Sequence, residues 1–92
     1  MEIQGTIKEI KKTETVGLNN FEKRDLILVT DEQYPQTLSI QFVQKMCCVL
    51  DGFFVGEKVS IDVNLKGREY ASPNGEIRYF NTIQGWRIAR DN

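Results

Sequence analysis

The sequence predicts an all-β fold, a five-stranded antiparallel barrel with one short α-helix between its third and fourth strands. Three observations carry this. Apolar and polar residues alternate in several short segments, most cleanly at Val59, Ile61, Val63 and Leu65, the period of a half-buried strand. The period shifts to that of a helix only once, over residues 43–50. The second half reads as one long hairpin, in which GREYASPNGE joins the Val59 strand to IRYFNTIQGWRI. With 92 residues and no linker, low-complexity tract or repeat, the chain is expected to form one domain over 1–92 with one modest core.

Taken in order, the first strand is expected over residues 2–12, with Ile3, Gly5 and Ile7 on one face. Ile10 breaks that phase, so the strand bends or bulges, as a small closed barrel requires of it. Residues 11–24 are polar, contain Gly17, Asn19 and Asn20, and read as a loop bearing one large apolar residue, Phe21. Leu26, Ile27, Leu28 and Val29 form a continuous apolar run, a second strand buried on both faces or covered by a partner. After a turn containing Pro35, Leu38, Ile40 and Phe42 mark the third strand. Val43, Met46, Cys47 and Leu50 then fall at i, i+3, i+4 and i+7, a short amphipathic helix stopped by Asp51-Gly52. Phe53 and Phe54 are expected to close the barrel bottom before the Val59 strand begins.

The last strand, over residues 78–90, has no single phase. Ile83 belongs to one face and Trp86 and Ile88 to the other, and a bulge near Gly85 reconciles them. Trp86 is expected to be a packing anchor, and one of the adjacent Tyr79 and Phe80 to lie in the core. This element order is that of the oligonucleotide-binding barrel, whose second and third strands and flanking loops bind extended polymers.

Composition narrows the function. The chain has no histidine, no metal-ligand spacing and no glycine-rich phosphate loop, so a non-catalytic role with no cofactor and no metal is expected. Cys47 and Cys48 are adjacent, a spacing that rarely satisfies relaxed disulfide geometry, and a structural role is expected for them. With no secretory apolar segment and no apolar run near the ~20 residues that span a bilayer, the chain reads as soluble and cytoplasmic. Twelve Lys plus Arg against thirteen Asp plus Glu give a formal charge of −1, so attraction for nucleic acid has to come from local distribution. Between Asp25 and Leu65 the only basic residues are Lys45 and Lys58. Positive charge gathers on the tip hairpin, where Lys66, Arg68 and Arg78 accompany Tyr70 and Tyr79, and on the first loop, where Lys11, Lys12, Lys23 and Arg24 accompany Phe21. Glu69 and Glu76 sit among the first group and Glu14, Glu22 and Asp25 among the second, so ordinary solvated surface is the competing reading of both.

The stretch FEKRDLILVTDEQYPQTLSIQF resembles the second and third strands of bacterial single-stranded-DNA-binding proteins. The order Val55-Gly56-Glu57-Lys58-Val59, Gly67-Arg68, Tyr70, Asn74-Gly75 and Arg78-Tyr79 is similar to that family's later half. The whole chain also resembles a group of short bacterial proteins regarded as oligonucleotide-binding-fold domains. It departs from the DNA-binding members at two places that usually hold tryptophan, here Phe42 and Tyr70. The resemblance implies binding of single-stranded DNA or RNA, DNA foremost, with little sequence preference. Tyr70, Tyr79 and Phe21 would stack bases, and Lys11, Lys23, Arg24, Lys66, Arg68 and Arg78 would contact phosphates. The alternative is a protein-interaction or oligomer-forming barrel, and a homodimer or larger homo-oligomer is compatible with either.

Overall fold

The computed structural model describes residues 1–91. They form β1 (Glu2–Ile10), β2 (Glu14–Val16), β3 (Phe21–Thr30), β4 (Thr37–Val43), α1 (Met46–Val49), a 3-10 turn at Leu50–Gly52, β5 (Lys58–Ala71) and β6 (Ile77–Arg90). β1, β5, β6, β4 and β3 are neighbours in that order, and β3 returns to β1, so five strands close into a ring. The ladders are antiparallel except at β4 and β6, which meet in parallel through Ile40↔Ile83 and Gln41↔Gln84. This is the expected five-stranded oligonucleotide-binding architecture, with its helix between the third and fourth strands of the ring.

Inward positions of the ring supply the core. Ile7, Leu26, Leu28, Ile40, Phe42, Val59, Ile61 and Val63 are buried, and Leu50 and Cys47 plug one end. The Leu26 to Val29 run resolves into alternation, with Leu26 and Leu28 inside and Ile27 and Val29 half-buried on the outer wall. Strand β1 serves two neighbours at once, pairing with β5 through residues 2–6 and with β3 from Gly5 onward. At the crossing, a Cβ on Gly5 would collide with the Val29 carbonyl oxygen, so this inward position has to be glycine. The expected irregularity of β1 is a register shift between Ile7 and Glu9. Gly85 has a similar cause, since a Cβ there would stand 2.5 Å from Phe42 Cζ.

Several local expectations are corrected. Residues 11–24 are not a bare loop, because Glu14–Val16 pairs with the start of β3 through Glu14↔Lys23, Thr15↔Glu22 and Val16↔Phe21. All three β2 residues are exposed, so the pairing leaves no alternating burial for the sequence to display. The helix is shorter than its spacing suggests. Val43 pairs with Lys23 as the last residue of β4, and Gln44 then takes a left-handed φ of 54°, which breaks the chain away before α1 starts. Phe53 packs against the core as expected, whereas Phe54 is exposed. The bulge expected near Gly85 is present, at Trp86, as the ladder steps from Asp62↔Arg87 to Val63↔Gly85. Trp86 is half-exposed rather than a packing anchor, and neither Tyr79 nor Phe80 enters the core. The reason is length. β5 and β6 run on past the barrel as a free arm, so Leu65, the residue after Val63 on the inward phase, is 69% exposed with no opposing layer beneath it.

Candidate nucleic-acid interface

Pairing between β5 and β6 sorts the arm into two faces, since directly opposed residues point the same way. One face carries Asn64↔Gln84, Lys66↔Thr82, Arg68↔Phe80 and Tyr70↔Arg78. The other carries Leu65↔Ile83, Gly67↔Asn81, Glu69↔Tyr79 and Ala71↔Ile77. The first is the outer face of the barrel continued onto the arm. Together with Phe21, Gln41 and Val43 from β3 and β4, its Lys66, Arg68, Phe80, Thr82 and Gln84, with the Gly67 backbone between two of them, line a groove of about 600 Å³.

The groove has the two ingredients that an extended polyanion with flat bases requires. Lys66 and Arg68 have no carboxylate within ion-pair distance among the described residues. Arg68 stands 5.8 Å from the centroid of the Phe80 ring, which keeps cation and ring side by side. Phe21 supplies a second ring on the opposite wall. The remaining lining is neutral: two glutamines, a threonine, a valine and a glycine backbone. Glu69, which stood among the tip cations in sequence, is turned to the back of the arm by the pleat.

Among the residues selected from sequence, the structure brings Phe21, Lys66 and Arg68 together. Tyr70 and Arg78 extend the same face toward the tip, where Arg78 lies 4.0 Å from Glu76. Lys23 borders the groove through its pair Val43 and makes a loose contact of 3.8 Å with Glu14. Lys11 lies apart, lining a small hollow with Glu14, Asp25 and Lys23. Two of the selected residues stand elsewhere. Tyr79 lies on the back of the arm opposite Glu69. Arg24 shares the inward phase of Leu26 and Leu28, and its guanidinium donates to the Lys11 carbonyl (2.6 Å), the Cys47 carbonyl (2.9 Å) and Asp51 Oδ1 (2.7 Å). It ties β3 to α1 through Nη1 and to Lys11 through Nε, and the residue also lines the hollow that holds Lys11. Phe42 is fully buried and takes no part in this surface.

Phe80, Thr82, Gln84 and Gln41 were not selected from sequence. The ladder register Arg68↔Phe80 identifies Phe80, and that register is fixed by the turn between Ala71 and Ile77 at the tip of the arm. The other large hollow, about 520 Å³ at the opposite end of β3, is lined by Glu2, Asp31 and Glu32 and repels a phosphate chain. Among the described residues no group of three or more His, Cys, Asp or Glu is placed to hold a metal ion. Among the described residues no helix is long and apolar enough to cross a membrane.

A family model described as "Domain of unknown function (DUF3127)" matches residues 2–89. No curated protein matches the chain. Among solved structures, the chain is similar to the small single-stranded DNA-binding protein from Streptomyces coelicolor, with a TM-score of 0.63 and 15% sequence identity over 99% of this chain and 92% of that one. At that identity the likeness establishes a shared fold.

Proposed function

The chain belongs to the DUF3127 family, and from that premise we propose that it is a non-catalytic binder of single-stranded nucleic acid, DNA before RNA, with little sequence preference. The observation that carries the proposal is the groove, which Lys66 and Arg68, free of carboxylate partners among the described residues, line together with the Phe21 and Phe80 rings. Phosphates sit on the cations and bases stack on the rings, each stack contributing roughly 1–3 kcal/mol whatever the base. The structural neighbour described as a DNA-binding protein supports the reading through its shared fold. Lys23, Tyr70 and Arg78 extend the contact surface at its two ends. Lys11 is retained as a peripheral phosphate contact, while Arg24 and Tyr79 are assigned to other work.

The test is fluorescence anisotropy of a labelled mixed-sequence strand of about 30 nucleotides, titrated at low and moderate salt. Arg68→Ala and Phe80→Ala weaken binding about tenfold or more, and Tyr79→Ala, on the back of the arm, leaves it unchanged. Absence of binding at tens of micromolar protein in low salt, a threshold chosen against the ~10⁻⁴–10⁻⁶ M of non-specific association, rejects the reading.

A specific feature supports a second reading, a protein-interaction or self-association surface. Leu65, Ile77 and Tyr79 are exposed together on the back of the arm. Sedimentation equilibrium tests it, with Leu65→Ser and Tyr79→Ser converting an oligomer to monomer if the face is covered by a second copy.

A further inference from the structure

Trp86 is the only tryptophan in the chain, and the ladder gives it a particular station. β5 and β6 pair without interruption from Ala71↔Ile77 to Val63↔Gly85, and pairing resumes at Asp62↔Arg87. Trp86 is the extra residue between them, so Trp86 and Arg87 both stand opposite Asp62. Their side follows from their neighbours. Gly85 faces the core, where a Cβ would meet the Phe42 ring, and Ile88 packs against the core, so the two residues between them lie on the outer wall. The ion pair of Arg87 Nη1 with Asp62 Oδ2 at 3.1 Å agrees with that placement.

The bulge has a chemical effect. In an unbroken ladder one side chain would face Asp62 and Ile88 would turn outward. The extra residue keeps Ile88 inside and delivers a guanidinium and an indole to the same outer position. The guanidinium neutralises Asp62, the first carboxylate met on this face of β5 on descending from Tyr70 past Arg68, Lys66 and Asn64. The indole is left 52% exposed beside a cancelled charge, directly after Gln84, which already lines the groove.

We infer that Trp86 is a further stacking platform for single-stranded nucleic acid, extending the binding track from the groove along the outer wall of β6 toward the barrel body. This rests on the proposed function and adds a site to it. Trp86 lies six positions beyond Phe80 in sequence, about 20 Å of strand at ~3.3 Å per residue. The two rings therefore grip different bases, with Lys66 between them to hold the intervening phosphates.

Because the tryptophan is unique, its emission reports on this station alone. Unlabelled strand of about 30 nucleotides is added while Trp86 fluorescence is read, and anisotropy of the labelled strand is followed in parallel. The expected result is quenching of the emission that tracks the anisotropy isotherm, an affinity about tenfold weaker for Trp86→Ala, and substantial recovery in Trp86→Phe, which keeps an aromatic face. Strand binding by anisotropy with unchanged tryptophan emission and an unweakened Trp86→Ala overturns the inference and leaves the groove intact. Failure of the unaltered protein to bind in the anisotropy arm overturns the strand-binding reading and this inference together.

Discussion

Arg24 has three protein acceptors within 2.9 Å, and a guanidinium so engaged is part of the scaffold. Its side chain is only 14% exposed, and its charge-assisted bond to the Cys47 carbonyl is partly buried, whereas the one to the Lys11 carbonyl is open to water. Arg24→Ala should lower the unfolding free energy by about 2 kcal/mol in urea titrations, a figure resting on the Cys47 carbonyl bond and not on the exposed Asp51 partner. Arg24→Lys should recover little of it, because an ammonium cannot present the same fork. Folded Arg24→Ala should bind a single strand as the unaltered chain does, and a large loss of affinity with normal stability would return Arg24 to the binding face. The two cysteines separate in the same way. Burial pushes the Cys47 thiol up from its ordinary value, with Glu22 and Cys48 adding to the rise, whereas Cys48 is exposed. Since the thiolate is the nucleophile, iodoacetamide should add one group to the native chain, at Cys48, and two in denaturant, read by intact mass and peptide mapping. Equal labelling of both in the native state would contradict the placement of α1 over the barrel end.

The segment that leads from the 3-10 turn into β5 is held to the end of β6 by Arg90, which donates both to the Glu57 carboxylate and to the Gly52 carbonyl. Glu57 accepts from Arg90 Nε at 2.7 Å and from the Phe54 backbone N–H at 2.8 Å, while the Arg90 guanidinium also lies 4.5 Å over the Phe53 ring. The Arg90 bond, chiefly, holds the Glu57 carboxyl below its ordinary value. A lowered carboxylate contributes stability that is complete above the unfolded value and is lost as pH falls through the folded one. The melting-temperature advantage of the unaltered chain over Glu57→Gln should therefore be full at neutral pH and shrink as the pH falls from the ordinary carboxylate value through the lower folded one. An advantage that stays constant across the range would show that the contact is not ionic. At this scale the sequence was most legible where burial alternates on one face only, as at Val59, Ile61 and Val63, and where steric need is absolute, as at Gly5. It was least legible where alternation is masked. Leu26 to Val29 is apolar on both walls, which hid that Arg24 is in phase with Leu26. The free arm exposes both of its faces, so neither Tyr79 nor Phe80 carried a burial signal to say which one belongs with Arg68. Val43 matched a helical spacing although its partner is Lys23 across a ladder, because an i, i+3, i+4 pattern cannot register a left-handed turn at Gln44.

For the whole molecule the formal charge of −1 offers no long-range pull on a polyanion, so affinity has to arise at contact distance. With Lys23, Lys66, Arg68 and Arg78 on one face, the logarithm of affinity should fall against the logarithm of salt with a slope of about −3, each cation contributing about 0.7 for a single strand. Lys66→Ala should reduce the slope by roughly that amount, and an unchanged slope would place the phosphates elsewhere. This distribution was visible in the sequence as two basic clusters; which members share a wall was not, since that depends on the pleat of the arm and the register its tip turn sets. The ring is sealed where β4 meets β6, over the two pairs Ile40↔Ile83 and Gln41↔Gln84, the shortest ladder among its five joints. Gln41 and Gln84 both line the groove. A strand lying there bridges the sealing joint as a suture bridges a cut, so occupancy should slow deuterium uptake at the amides of 40–41 and 83–84 more than at the β3–β4 ladder, giving the barrel a clasp that its ligand fastens.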